Sequence, residues 1–158
     1  MMHKLTRRAA LTGLFLSLAA CGGRRERATT APSRTIPLYP NETPELRRLI
    51  NKYAEVHDIP VTLLHRVIIR ESTHNPAARN GPYYGLMQIL PQTARTMGYQ
   101  GPPEGLLDAE TNLRYAGKYL RGAWLVSDGN QEAAVGWYAR GYYFEAKRLG
   151  LLEETGLR

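Results

Sequence analysis

Val61-Thr62-Leu63-Leu64-His65-Arg66-Val67-Ile68-Ile69-Arg70-Glu71-Ser72-Thr73-His74-Asn75-Pro76 is an apolar, helix-like run that ends on a carboxyl and then breaks. A second apolar stretch with one polar residue inside it follows at once, Gly85-Leu86-Met87-Gln88-Ile89-Leu90-Pro91. A carboxyl at the mouth of a hydrophobic helix is partly stripped of water. Desolvation disfavours its charged form and raises its pKa toward neutrality, where it can donate a proton. Glu71 therefore has the profile of a general acid.

The segments around this pair read as further helices. Thr43 can cap one that starts at Pro44, with Glu45 at the positive end of its dipole. Leu46, Leu49, Ile50 and Tyr53 recur in it at helical spacing. Pro60 opens the next helix, with Val61, Leu64, Val67 and Ile68 on one side. Arg79 to Pro82 and Gly101 to Pro103 are loops, and Pro91 opens a short helix closed by Gly98. Asp108 caps a longer helix through Leu113, Ala116, Leu120 and Trp124, and Asp128-Gly129 is a turn. Ala133 to Tyr138 and Tyr142 to Leu149 are the last helices, the latter stopped by Gly150. No alternating strand of useful length occurs, so a mainly α fold with little or no β-sheet is expected.

The first 42 residues read differently. Lys4, Arg7 and Arg8 precede a short apolar core from Leu11 to Ala20, too short to span a bilayer. Leu18-Ala19-Ala20-Cys21 resembles a bacterial lipobox, and Thr6 to Leu11 resembles a twin-arginine export motif without its aromatic. Residues 1–20 are thus expected to be a signal peptide and Cys21, the single cysteine, the lipidated first residue of the mature protein. Residues 21–42, rich in Arg, Thr and Pro, are expected to be a flexible tether, and residues 43–158 the folded domain. The expected location is periplasmic and lipid-anchored. Gly22 is not the aspartate of an inner-membrane retention signal, which favours the outer membrane.

The net charge of +7 is concentrated in that leader. From Pro44 onward 14 Lys/Arg face 12 Asp/Glu, leaving +2, so the basic balance gives no case for nucleic acid as a partner. The histidines show no metal-ligand spacing. His65 reads as structural and His74 as a loop residue near the cleft. No metal or organic cofactor is expected.

Four segments stand in a telling order: Glu71-Ser72-x-x-Asn75-Pro76, Gly85-Leu86-Met87-Gln88, Asn112 to Leu120, and Ala133 to Gly141 with Tyr138 inside it. Together they resemble the catalytic domain of soluble lytic transglycosylases, which is similar to goose-type lysozyme. The resemblance spans about residues 44 to 150. It implies a helical lysozyme-like fold with a groove for the glycan strands of peptidoglycan. Carried over by position, Glu71 is the catalytic acid and base, and Gln88 binds sugar near the cleaved bond. Tyr138 holds the carboxyl or the substrate by its hydroxyl. Met87 packs beneath the groove with its thioether within reach of an acetyl group. Asn80, where relatives commonly place Ser, can donate to a carboxylate. Ser72, Asn75 and Gly85 shape the turns. The family's Tyr-Asn pair is Tyr138-Ala139 here, and Arg140 with Tyr142, Tyr143 and Phe144 is positioned to compensate.

Lysozymes usually need two carboxylates, but none lies between Glu71 and Glu104. The resemblance implies a way round this. Glu71 protonates the glycosidic oxygen, the N-acetyl group of the muramic sugar assists departure, and the ionised glutamate then takes a proton from the sugar's 6-hydroxyl. A 1,6-anhydro end forms and no water is consumed. Two other readings stand beside it: a lysozyme-like hydrolase with an unrecognised base, and a catalytically weak peptidoglycan-binding scaffold.

Overall fold

The computed structural model describes residues 36–158. The signal peptide, Cys21 and most of the tether lie outside the described residues. The expected mainly helical, lysozyme-like architecture is borne out. Among the described residues six α-helices follow in order: α1 Pro44–Val56, α2 Val61–Ser72, α3 Pro91–Thr96, α4 Ala109–Val126, α5 Gln131–Arg140 and α6 Tyr143–Leu149. A two-residue hairpin, β1 Arg79–Asn80 and β2 Tyr83–Tyr84, turns at Gly81-Pro82, and a 3-10 turn covers Pro103–Leu107.

Local chemistry sets the helix ends. The hydroxyl of Thr43 accepts from Leu46 N–H at 3.1 Å, Asp108 accepts from Thr111 N–H at 2.8 Å, and Asn130 accepts from Ala133 N–H at 2.9 Å. Each satisfies a helix donor that would otherwise have no partner. Leu113, Ala116, Leu120 and Ala123 form a fully buried stripe along α4 at three- and four-residue spacing. That helix packs against α1, α3, α5 and α6 and is the axis of the domain. In α2 the buried face is Leu63, Leu64, Val67 and Ile68; Val61, expected on it, lies in the first turn and is exposed.

The expected boundary at residue 43 is too late. Glu42 is buried, both its oxygens accept from Arg47, and Tyr39 N–H donates to it at 2.9 Å. Tyr39 stacks on His74 with ring centroids 5.1 Å apart, and Asn41 Nδ2 donates to Thr73 O at 3.1 Å. These contacts clasp a turn in which Thr73 and His74 are both left-handed, an unfavourable backbone for non-glycine residues. The domain thus includes a strap before α1.

Between β2 and α3 the chain crosses the core without regular structure, and Leu86, Met87 and Ile89 are buried there. Part of its backbone is served by one side chain on α4. Asn112 Oδ1 accepts from Met87 N–H at 3.0 Å, and its Nδ2 donates to Tyr84 O at 2.9 Å and Leu106 O at 2.8 Å. Gly85 is left-handed and touches the same group; a Cβ there would lie 2.3 Å from Asn112 Nδ2 and 2.2 Å from Leu106 O. Replacing Asn112 by Ala would strand two buried backbone groups at once, Met87 N–H and Leu106 O, while Tyr84 O would keep only the Ile89 N–H at 3.1 Å. Urea denaturation of Asn112→Ala should show a loss on the order of 3 kcal/mol or more; a loss below about 1 kcal/mol would mean that these groups find other partners.

Candidate active site

Glu71 occupies the last turn of α2, where the apolar face that anchors the helix gives out. The residue after it, Ser72, turns inward and donates its hydroxyl to Leu86 O at 2.7 Å, tying the helix end to the core-crossing segment. Asn75 Oδ1 accepts from Ala77 N–H at 3.0 Å and shapes the turn that follows. The carboxyl side chain of Glu71 is 23% exposed. It opens into a cavity of about 320 Å³ lined by Arg70, Asn80, Tyr83, Gln88, Tyr138 and Ala139 besides itself. It is the one acid among those lining residues.

Burial pushes the pKa of Glu71 above the ordinary value of 4.5, and the guanidinium of Arg70, with Nε at 3.6 Å, pulls it part of the way back. Burial of this kind favours the protonated carboxyl.

Gln88 sits across the cavity in a left-handed conformation, φ 48°. Its Nε2 donates to Gly85 O at 2.9 Å and to Ala78 O at 3.1 Å. Both partners are carbonyl oxygens, so the orientation of the amide is fixed by chemistry. Its Oε1 is buried and has no partner among the described residues. What Gln88 can offer a ligand is therefore an acceptor, suited to an amide N–H or a hydroxyl. Tyr138 is similarly committed. Its hydroxyl donates to Met87 O at 2.8 Å, so anything in the cavity meets its lone pairs. Burial first, and then the nearby Glu71 carboxylate, push its pKa well above the ordinary value and keep the phenol neutral.

The other expected residues separate. Asn80 lines the cavity from β1, and no hydrogen bond to it contributes to the pKa of Glu71. Met87 does not reach a ligand: its side chain is fully buried, and both its backbone groups are held, by Asn112 and Tyr138. It supports the floor from below. Cys21 is outside the described residues. Tyr83 and Arg70 are wall residues that the sequence did not single out. The inward Tyr84 and outward Tyr83 alternate as neighbours on a strand do, which is the signal that could have found Tyr83.

The histidine reading needs correction. Glu42, His65 and His74 are all buried, with ligand-type atoms within 4.8 Å of one another. His65 Nδ1 lies 3.1 Å from His74 Nε2. Burial holds both imidazoles below their ordinary pKa, His65 at about 4, so the pair is neutral and shares a hydrogen bond. The donor set does not suit a cation. Both Glu42 oxygens already face the Arg47 guanidinium, whose charge opposes a metal ion. His74 is thus part of the strap's clasp and not a cleft residue.

A larger cavity, about 880 Å³, lies between the strap, α1 and the start of α2. Its acids, Glu55 and Asp58, are exposed and Asp58 pairs with Arg121, so it lacks a desolvated acid. The Glu71 cavity, which has such an acid, is therefore the candidate site.

The family model described as the transglycosylase SLT domain matches residues 48–151. The chain belongs to that family. No solved structure matches it. The matched span holds all the cavity residues, while Tyr39, Asn41 and Glu42 of the strap precede it. Membership indicates peptidoglycan transglycosylase activity on glycan strands.

Glu71→Gln should stabilise the SLT domain at neutral pH. Above the raised pKa the folded protein holds a charge that its surroundings disfavour; below the ordinary value of 4.5 both folded and unfolded chains are protonated. Melting curves should therefore show the variant above wild type at pH 7, with the gap closing as pH falls from the raised pKa to 4.5 and absent below it. A variant less stable than wild type at pH 7 would contradict the desolvation of Glu71.

Proposed function

We propose that this SLT-domain protein cleaves the β-1,4 bond between N-acetylmuramic acid and N-acetylglucosamine without water, leaving a 1,6-anhydro end. The observation that carries the reading is the solitary, half-buried Glu71 in a cavity whose other lining residues include no acid. A two-carboxylate hydrolase needs a second acid about 5–9.5 Å away, and the cavity supplies none.

The steps follow from what each group can do. Glu71 delivers a proton to the glycosidic oxygen as the bond breaks, and burial, which raises its pKa, favours the protonated form that this step needs. The substrate's own N-acetyl oxygen meets the electron deficiency at the anomeric carbon. Gln88 Oε1 is an unpartnered acceptor that suits the N–H of such a group and would hold it in place. Glu71, now ionised beside Arg70, takes the proton of the 6-hydroxyl as that oxygen attacks the anomeric carbon. The carboxyl is returned protonated and the atoms balance with no water added. One group acts as acid and then base, which favours a pKa close to the working pH.

Peptidoglycan digested with residues 22–158 should yield fragments one water lighter than hydrolysed ones by mass spectrometry. Glu71→Gln should reduce their formation by at least about a hundredfold, the usual scale for a general acid. Fragments with reducing ends would support the hydrolase, and a folded protein that binds the wall without cleaving it would support the scaffold.

The anchor is proposed on the leader sequence alone. Cys21 would carry lipid and hold the domain on a membrane facing the periplasm, with the outer membrane favoured. The lipid would supply the attachment. Fatty-acid probe labelling should be lost in Cys21→Ser, and label retained by that variant would refute the anchor.

A further inference from the structure

Beyond Tyr83 the Glu71 cavity is continued by a second one of about 220 Å³. The two share Tyr83, Gln88, Tyr138 and Ala139 in their walls, so one groove runs past both. The second cavity is bounded by Arg140 at the end of α5, and no acid lines it.

Arg140 is held ready. Its guanidinium carbon lies 3.8 Å from the centre of the Trp137 ring. Stacking of that kind fixes the plane of the fork and leaves its edge N–H groups free to donate. Gly136 makes the room for it, since a Cβ at that position would lie 2.6 Å from Arg140 Nη1. Most arginines of the domain are already engaged: Arg47, Arg48, Arg66, Arg70, Arg121, Arg148 and Arg158 each have an acidic partner within 4.0 Å. Arg79 donates to the Tyr84 hydroxyl at 2.6 Å. Among the described residues no acid pairs with Arg140. A pre-oriented, unpaired fork beside a groove is suited to a planar anion, and a carboxylate matches it with two parallel hydrogen bonds.

We propose that Arg140 binds a carboxylate borne by the muramic residues of the glycan and so sets which strands the groove prefers. This rests on the reading of the substrate as peptidoglycan. Each muramic sugar carries a lactyl ether. Its acid is free where no peptide is attached, and where a stem peptide is attached that peptide brings carboxylates of its own. Both sources present the same chemistry to Arg140. Ala139, beside it, offers only a methyl group to the groove wall, so charge recognition by Arg140 takes the place of an amide contact there.

Binding is measured in the Glu71→Gln background by titration calorimetry, so that cleavage plays no part. Three ligands are compared: peptide-free strands with free lactyl acids, strands bearing stem peptides, and peptide-free strands whose acids have been converted to neutral amides. Adding Arg140→Gln should weaken binding about tenfold, one charge-assisted contact, to one or both of the carboxylated ligands. Binding to the amidated strands should not change. Whichever carboxylated ligand loses affinity identifies the source. Arg140→Lys should recover part of the loss, because it keeps the charge without the fork. Equal loss on all three ligands, or no loss on any, would overturn the proposal. If Arg140→Gln proved unfolded, the same question is put to the Glu71→Gln protein alone: equal affinity for free-acid, stem-bearing and amidated strands would overturn it. A wild-type protein that cleaves nothing yet discriminates in this way would refute the enzymatic reading and leave this one standing.

Discussion

A stretch of irregular backbone buried in a helical core must find a partner for every N–H and C=O, and the side chain that ties this one to the central helix is Asn112. Asn112 acts as a missing strand for the segment from Tyr84 to Met87, and for Leu106 as well. An unpaired group at any of these places would cost on the order of 1–3 kcal/mol. The site depends on this arrangement. With Met87 fixed, its carbonyl can receive the Tyr138 hydroxyl from α5. With Gly85 fixed, its carbonyl can hold the Gln88 amide. The hydroxyl of Ser72, next to Glu71, reaches the same segment at Leu86. Three helices, α2, α4 and α5, thus converge on one short loop, and the cavity opens between α2, α5 and the hairpin beside it.

That convergence explains why the polar residues of the cavity are so restricted in what they can do. Gln88 has spent both amide hydrogens and Tyr138 its only one, so each presents acceptors. Glu71 has burial to favour its protonated form and one guanidinium to receive its charge once it ionises. The strap adds a second support from outside. Asn41, Tyr39 and the neutral histidine pair hold the left-handed turn directly after α2, and so fix the end of the helix that carries the acid.

Much of this was legible in the sequence for identifiable reasons. Pro44 and Pro91 stand in the first turns of their helices, Thr43 and Asp108 supply caps, and the apolar spacing of α4 names its buried face directly. Glu71 was legible from its place at the end of an apolar run. What escaped shares a different property: it depends on pairing across long separations. Asn112 appeared in a motif, but its three backbone partners lie 6, 25 and 28 residues away. The Glu42–His65–His74 clasp has no regular spacing, and a polar segment before the first helix looks the same whether it packs or not. Met87 was placed too near the ligand because a buried methionine and one lining a groove read alike in an apolar run.

The claim on which the account turns is that Glu71 is a desolvated acid. It is tested most directly by following the side-chain carboxyl carbon of Glu71 by NMR through a pH titration of the ligand-free protein, with Glu71→Gln to assign the signal. The account predicts a midpoint clearly above the ordinary glutamate value of 4.5. A midpoint at or below it would mean that water or Arg70 dominates over burial, and that Glu71 does not hold its proton as the proposed chemistry requires.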